Sequence, residues 1–126
     1  MNAEDAVRAI TSAQFESIIQ EHAIVFFDFW APWCAPCRQF GQVYEAVAQQ
    51  YPAILFGKIN VEEEPALGEA FEIRSIPHLM VFKQGIVIYS EAGSMPESTL
   101  KELVQQAVDA DVSNIIAQLD QEEKED

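Results

Sequence analysis

The sequence predicts an α/β fold: a mixed β-sheet with helices on both faces. Short apolar runs rich in β-branched and aromatic residues alternate with segments of helical periodicity, in the order β-α-β-α-β-α-β-β-α. The last pair of strands flanks Gln84-Gly85, a hairpin signal in which Gly supplies a positive φ. The chain has 126 residues, a typical single-domain length that can bury a core without disulfide staples.

Taken in order, the segment 1–5 is polar and expected to fray, and Ala6 to Ile10 reads as a short strand. Thr11 and Gln14 have the spacing of a capping box, and Phe15, Ile18 and Ile19 recur at helical spacing, so a first helix is expected over Ser12–Glu21. Ile24 to Phe29 shows little polar alternation and reads as a strand buried on both faces. Phe40, Val43, Tyr44, Val47 and Tyr51 form one stripe of an amphipathic helix, stopped at Tyr51-Pro52. Ile54 to Asn60 reads as a second buried strand. Glu62, Glu63 and Glu64 stand where carboxylates favour the positive end of a helix dipole, and Pro65 opens a short helix to about Phe71. Leu79–Phe82 and Ile86–Tyr89 form the hairpin. Ser94 and Glu97 have the spacing of a second capping box. Leu100, Leu103, Val104, Ala107 and Val108 follow at helical spacing, and the period persists through Val112, Ile115, Ile116 and Leu119. That pattern fits either one long helix or a second helix starting near Ser113.

Charge narrows the function classes. The 21 acids and 7 bases give a formal net charge of -14. Phosphate backbones and anionic lipids would be repelled, so neither nucleic acid nor a membrane is expected as a partner. Of these, 7 acids and one base lie between Asp109 and Asp126, leaving 14 acids and 6 bases in the body. No apolar stretch is long enough for a membrane-spanning helix. The first residues, Met1-Asn2-Ala3-Glu4-Asp5, have neither the basic-then-apolar pattern of a signal peptide nor the Arg-rich pattern of a transit peptide. The expected compartment is the cytoplasm, where static disulfides are rare.

The chain's 2 cysteines both lie in Trp33-Cys34-Ala35-Pro36-Cys37, between the first buried strand and the amphipathic helix. A zinc or iron–sulfur half-site would need more ligands; His22 and His78 are far apart and there is no second cysteine pair. An inert buried pair is the other bland reading. Redox chemistry fits the context better. A thiolate is the attacking species, and a helix N-terminus favours negative sulfur through its unpaired N–H groups and dipole. Cys34 stands at that start and is the expected nucleophile. Cys37, three residues on and on the same face, can resolve a mixed disulfide formed on Cys34. Pro36 suits the first turn, and Trp33 can shield the site and offer an apolar surface.

The stretch Asp28-Phe29-Trp30-Ala31-Pro32-Trp33-Cys34-Ala35-Pro36-Cys37-Arg38 resembles the signature of the thioredoxin family. Gly57-Lys58-Ile59-Asn60-Val61, Arg74-Ser75-Ile76-Pro77, Phe82-Lys83-Gln84-Gly85 and Ala92-Gly93 resemble further family motifs in the same order. The resemblance covers about residues 5 to 109. It implies the thioredoxin fold over residues 1–109, with residues 110–126 as a C-terminal helical extension and acidic tail. It implies reduction of protein disulfides, no bound cofactor, and electrons from NADPH delivered by a thioredoxin reductase. It also implies a cis peptide bond before Pro77 and a docking surface formed by Trp33, Ile76, Pro77, Ala92 and Gly93.

Asp28 has two readings from the residues alone: an acid whose buried strand raises its pKa, or a strand-end acid turned to solvent. The resemblance favours the buried acid, acting as general base for the Cys37 proton, with Lys58 as electrostatic partner. Four residues depart from the family pattern. Ala35 replaces the usual Gly between the cysteines and alters the redox poise. Gln42 replaces a helix-kinking Pro, which predicts a straighter helix. Ser75 replaces a common Gly and narrows the substrate groove. His78 replaces a Thr: it is either a modulator beside the sulfurs or a strand residue facing away. His22 reads as a surface loop residue. The apolar stripe of residues 110–126 is expected to pack on the body, with a dedicated partner or self-association as alternatives, and the terminal acid run is expected to be solvated and disordered. The alternative function is a thioredoxin-fold chaperone or scaffold that binds a partner through residues 110–126.

Overall fold

The computed structural model describes residues 6–125; the expectation that residues 1–5 fray lies outside them. The strands are β1 (Val7–Ala9), β2 (Ile24–Trp30), β3 (Leu55–Asn60), β4 (His78–Lys83) and β5 (Ile86–Ala92). The helices are α1 (Ser12–Glu21), α2 (Ala35–Ala48), α3 (Pro65–Ala70), α4 (Glu97–Asp109) and α5 (Ser113–Glu125). The sheet order is β1-β3-β2-β4-β5. β1 and β2 run parallel to β3, whereas β4 runs antiparallel to β2 and β5 antiparallel to β4.

Each strand of the centre sends alternate side chains to opposite layers. Phe26, Phe56, Leu79 and Val81 meet Phe40, Tyr44 and Val47 of α2 and Leu100, Val104 and Ala107 of α4. Val25, Phe27, Phe29, Met80 and Phe82 face the other way, toward Ile18 of α1 and Leu67 of α3. This explains why β2 shows almost no polar alternation. Both its faces are covered, and full burial of each such side chain is worth about 1.5–3 kcal/mol. Asp28 shares the α2 side with Phe26 and is itself buried.

Local signals explain most element ends. Thr11 is the N-cap of α1, and its N–H donates to Gln14 Oε1 at 3.1 Å. The hairpin turn holds Gln84 at φ 51° and Gly85 at φ 79°, so both central residues adopt the left-handed conformation of a type I′ turn. The second capping box does not form. The N-cap of α4 is Pro96, with ψ 162°, and no side chain caps it. A residue before proline is pushed out of the helical region, so the helix starts after Pro96 rather than at Ser94.

The three glutamates also do something other than expected. None lies in the first turn of α3. Glu64 Oε1 instead accepts from the Ser12 N–H at 2.6 Å, placing a carboxylate at the start of α1. Glu63 accepts from Asn60 Nδ2 at 2.9 Å, and Glu62 accepts from Trp33 Nε1.

The C-terminal periodicity resolves into two helices. Ala110 ends α4 in an extended conformation. The Lys83 ammonium donates to the carbonyl oxygens of Ala107 and Val108, each at 2.8 Å, and to that of Ala110. A cation there satisfies the orphan carbonyls at the negative end of α4. The Asp111 carboxylate accepts from the Ser113 N–H at 2.9 Å as α5 begins. α5 then runs through Glu125, so the expected disordered acidic end is helical as far as that residue. Its stripe packs only in part: Val112 is buried and Ile116 half-buried, while Ile115 and Leu119 are each 45% exposed.

Candidate active site

β2 ends at Trp30 and the chain turns directly into α2, whose N-cap is Cys34. Cys34 and Cys37 are joined by a disulfide, with their Cα atoms 5.2 Å apart. The Cys37 N–H donates to Cys34 Sγ at 3.2 Å. The sulfur therefore takes the place that a hydroxyl or carboxylate usually holds at a helix N-cap, and the same contact stabilises a thiolate once the pair is reduced. Ala35 and Pro36 form the exposed start of α2, and Pro36 costs no hydrogen bond there. Arg38 Nη1 donates to the Pro32 carbonyl at 2.8 Å, bracing the turn into the helix.

The Ile76–Pro77 bond is cis. The Ile76 carbonyl oxygen lies 3.8 Å from Cys34 Sγ. The Pro77 carbonyl accepts from the Gly93 N–H at 2.8 Å, which brings Ala92 and Gly93 to the same rim. Gly93 has φ 113°, a conformation open to glycine and strained for other residues. Trp33 is 66% exposed, a large apolar side chain left in solvent beside the disulfide. Trp33, Ile76, Pro77, Ala92 and Gly93 thus all lie on elements that converge at this end of the sheet.

Asp28 is 3% exposed, and burial raises its pKa to about 8, partly opposed by the positive charge of Lys58. These residues are register partners on β2 and β3. Lys58 makes no ion pair with Asp28; its Nζ stands 5.4 Å from the centre of the Trp30 ring. Its influence is exerted through space. Asp28, Lys58, Trp30 and Cys37 line one cavity of about 190 Å³ beneath α2.

His78 belongs to the opposite layer. Its Nε2 is 2.8 Å from Ser90 Oγ and its ring packs edge-on against Phe29. Burial holds the imidazole below its ordinary pKa, with Glu91 opposing. The ring is thus engaged with β5 through Ser90. His22 caps the C-terminal end of α1 and is half-buried. Gln42 is exposed on α2, which continues unbroken to Ala48, and Ser75 is exposed in the loop before the cis bond. Among the described residues no three His, Cys, Asp or Glu side chains gather as metal ligands.

Sequence reasoning missed the Glu62 acceptor for Trp33, the presence of Trp30 and Tyr44 in the cavity lining, and the Lys83 clamp. Of these, Tyr44 left a signal, as one of two hydroxyl-bearing residues, with Tyr51, in the stripe from Phe40 to Tyr51.

A dithiol that opens a helix, set against a cis-proline loop and above a buried acid, defines a protein of thiol–disulfide exchange. The comparisons with known proteins agree. The family model described as Thioredoxin matches residues 6–106, and the chain belongs to the thioredoxin family. It is 43% identical to thioredoxin 1 of Synechococcus elongatus, covering 73% of this chain and 88% of that one. It is 41% identical to the thioredoxin of Porphyra purpurea, covering 76% and 92%. Among solved structures, Plasmodium falciparum thioredoxin superposes with a TM-score of 0.73 at 33% identity, covering 79% and 97%. A mutant thioredoxin from Halobacterium salinarum gives 0.78 at 27% identity, covering 88% and 98%. The protein is a thiol–disulfide oxidoreductase, a protein-disulfide reductase, and the family needs no bound cofactor. Membership implies disulfide-containing substrates and a thioredoxin reductase as partners.

Proposed function

We propose that the chain reduces protein disulfides by two successive exchanges. The Cys34 thiolate attacks one sulfur of a substrate disulfide, and the other substrate sulfur leaves as a thiolate that takes up a proton. Cys37 then loses its proton to the Asp28 carboxylate and attacks Cys34 Sγ. The Cys34–Cys37 disulfide forms, and the second substrate thiol is released. Two electrons have passed to the substrate. NADPH returns them through a thioredoxin reductase. The exposed Trp33 and the rim of Ile76, Pro77, Ala92 and Gly93 suit an extended substrate segment, and Lys58 modulates Asp28.

The observation that carries this reading is the Cys37 N–H on Cys34 Sγ at the start of α2. It favours negative charge on that sulfur rather than on Cys37. The test is insulin reduction with dithiothreitol or reductase as electron source. Cys34→Ser is expected to abolish turnover, and Cys37→Ser to accumulate a mixed disulfide on Cys34. Turnover that survives Cys34→Ser would refute the assignment.

A second reading has its own observation: α5 leaves Ile115 and Leu119 exposed. Residues 110–126 would then be an appendage to the 1–109 domain that binds a dedicated partner or a second copy. A partner retained when both cysteines are Ser, and lost on deleting residues 110–126, is the expected result. Retention after the deletion would exclude it.

A further inference from the structure

A groove of about 540 Å³ runs from Trp33 and Ile76 to the end of α3. Val61 and Ile73 give it an apolar lining, while Glu69, Glu72 and Arg74 give it charge. It is continuous with the dithiol rim, since the Ile76 carbonyl oxygen lies 3.8 Å from Cys34 Sγ. The way α3 ends puts Glu72 there. The Ile73 N–H donates to the Gly68 carbonyl at 2.8 Å, and the Glu72 N–H to the Glu69 carbonyl at 3.1 Å. These two bonds make a Schellman motif, whose turning residue is usually glycine. Here that residue is Glu72, with φ 53°. Glycine would adopt this conformation without strain and would leave no side chain in the groove. Glu69 and Glu72 are both exposed. The ion pair formed among the described residues is Lys101–Glu97, so Arg74 neutralises neither carboxylate by contact. Glu62, the acceptor for Trp33 Nε1, adds a third carboxylate beside the indole.

We propose that Glu72, together with Glu69, makes this groove select substrate segments carrying a lysine or arginine within about four residues of the attacked cysteine. This rests on the reading of Trp33 and Ile76 as the substrate rim and adds the residues that choose among substrates. The distance follows from chain geometry. Glu72 and Ile76 are four residues apart, a span of at most about 14 Å. An extended substrate advances about 3.3 Å per residue, so the groove is reached within about four residues of the substrate sulfur. A cationic side chain there keeps its stem on Val61 and Ile73 and brings its charge to the two carboxylates. An acidic flank meets like charge instead, which slows its approach to the dithiol.

The test uses the reduced full chain and synthetic peptides closed by one disulfide, identical except for Lys, Ser or Glu at the second to fourth residues outside each cysteine. The second-order rate of peptide reduction is read by acid quench and chromatography. The Lys peptide is expected to react about two- to five-fold faster than the Ser peptide, the size of one exposed ion pair. That ratio should fall toward one in about 1 M salt. Glu72→Gln should lower it, Glu69→Gln with Glu72→Gln should bring it near one, and Glu72→Lys should favour the Glu peptide. Each ratio is taken within one variant, so a general loss of activity cancels. Glu102→Gln removes the same charge from an exposed site on α4, across the sheet, and should leave the ratio unchanged. A wild-type ratio of one, or a ratio that Glu72→Gln does not lower, overturns the selection. So does a ratio that Glu102→Gln lowers as far, which would ascribe the preference to net charge. A faster Glu peptide in the wild type would assign the groove to Arg74 and overturns it too. Trp33→Ala is expected to slow all three peptides; if it slows none, the rim reading fails as well.

Discussion

Replacing Asp28 by Asn removes a charge while keeping the shape, and the consequence for stability can be worked from the structure. An ordinary value of 3.8 and a folded value of about 8 mean that the native chain keeps a proton that the unfolded chain has lost. Between those values the unfolded state binds fewer protons, so stability falls as pH rises through that window. At about 1.4 kcal/mol per pH unit, the carboxyl costs the native state about 4 kcal/mol at pH 7 and about 6 above pH 8, relative to a neutral isostere. Asn has no proton to lose. Asp28→Asn is therefore expected to be more stable than wild type by several kcal/mol near pH 8, with little advantage near pH 4. Urea unfolding of both oxidised proteins across that range, with equal m-values, measures it. A stability difference that does not change with pH would refute the reasoning. The same substitution should slow resolution of the mixed disulfide, a stability cost borne for function.

Lys83→Met removes the cation shared by three carbonyl oxygens; a loss of about 1–3 kcal/mol is expected, with faster amide exchange across the α4–α5 junction as the readout. Gly57→Ala would set a Cβ 2.8 Å from Ile10 Cγ1 and 3.2 Å from Phe27 Cδ1. Overpacking of that kind should cost about 1–3 kcal/mol in urea. Trp33→Ala removes a side chain that is mostly in solvent; stability should change by less than about 0.5 kcal/mol, while kcat/KM for insulin falls several-fold.

The fold was legible because its signals are local and strong. β2 is a continuous apolar run, α2 carries a clear stripe, and Gln84-Gly85 marks the hairpin. Cys34 and Cys37 were legible for the same reason: their spacing and their place between strand and helix belong to one stretch of chain. The errors came where two local rules competed. At Ser94 the capping-box spacing lost to the restriction that Pro96 imposes on the residue before it. At Glu62 to Glu64 the side chains found partners far away in sequence, and no local rule anticipates those.

The sequence alone determined the sheet-and-helix order, the dithiol and its opening position on α2, because hydrophobic period, capping and cysteine spacing act over a few residues. Tertiary structure decided what surrounds the dithiol. It buried Asp28 under α2 and left Lys58 over Trp30 rather than in an ion pair. It turned His78 to Ser90 and drew Tyr44 into the cavity beside Cys37. Burial and electrostatic coupling depend on which elements cover a residue, and that is set by packing between segments distant in the chain.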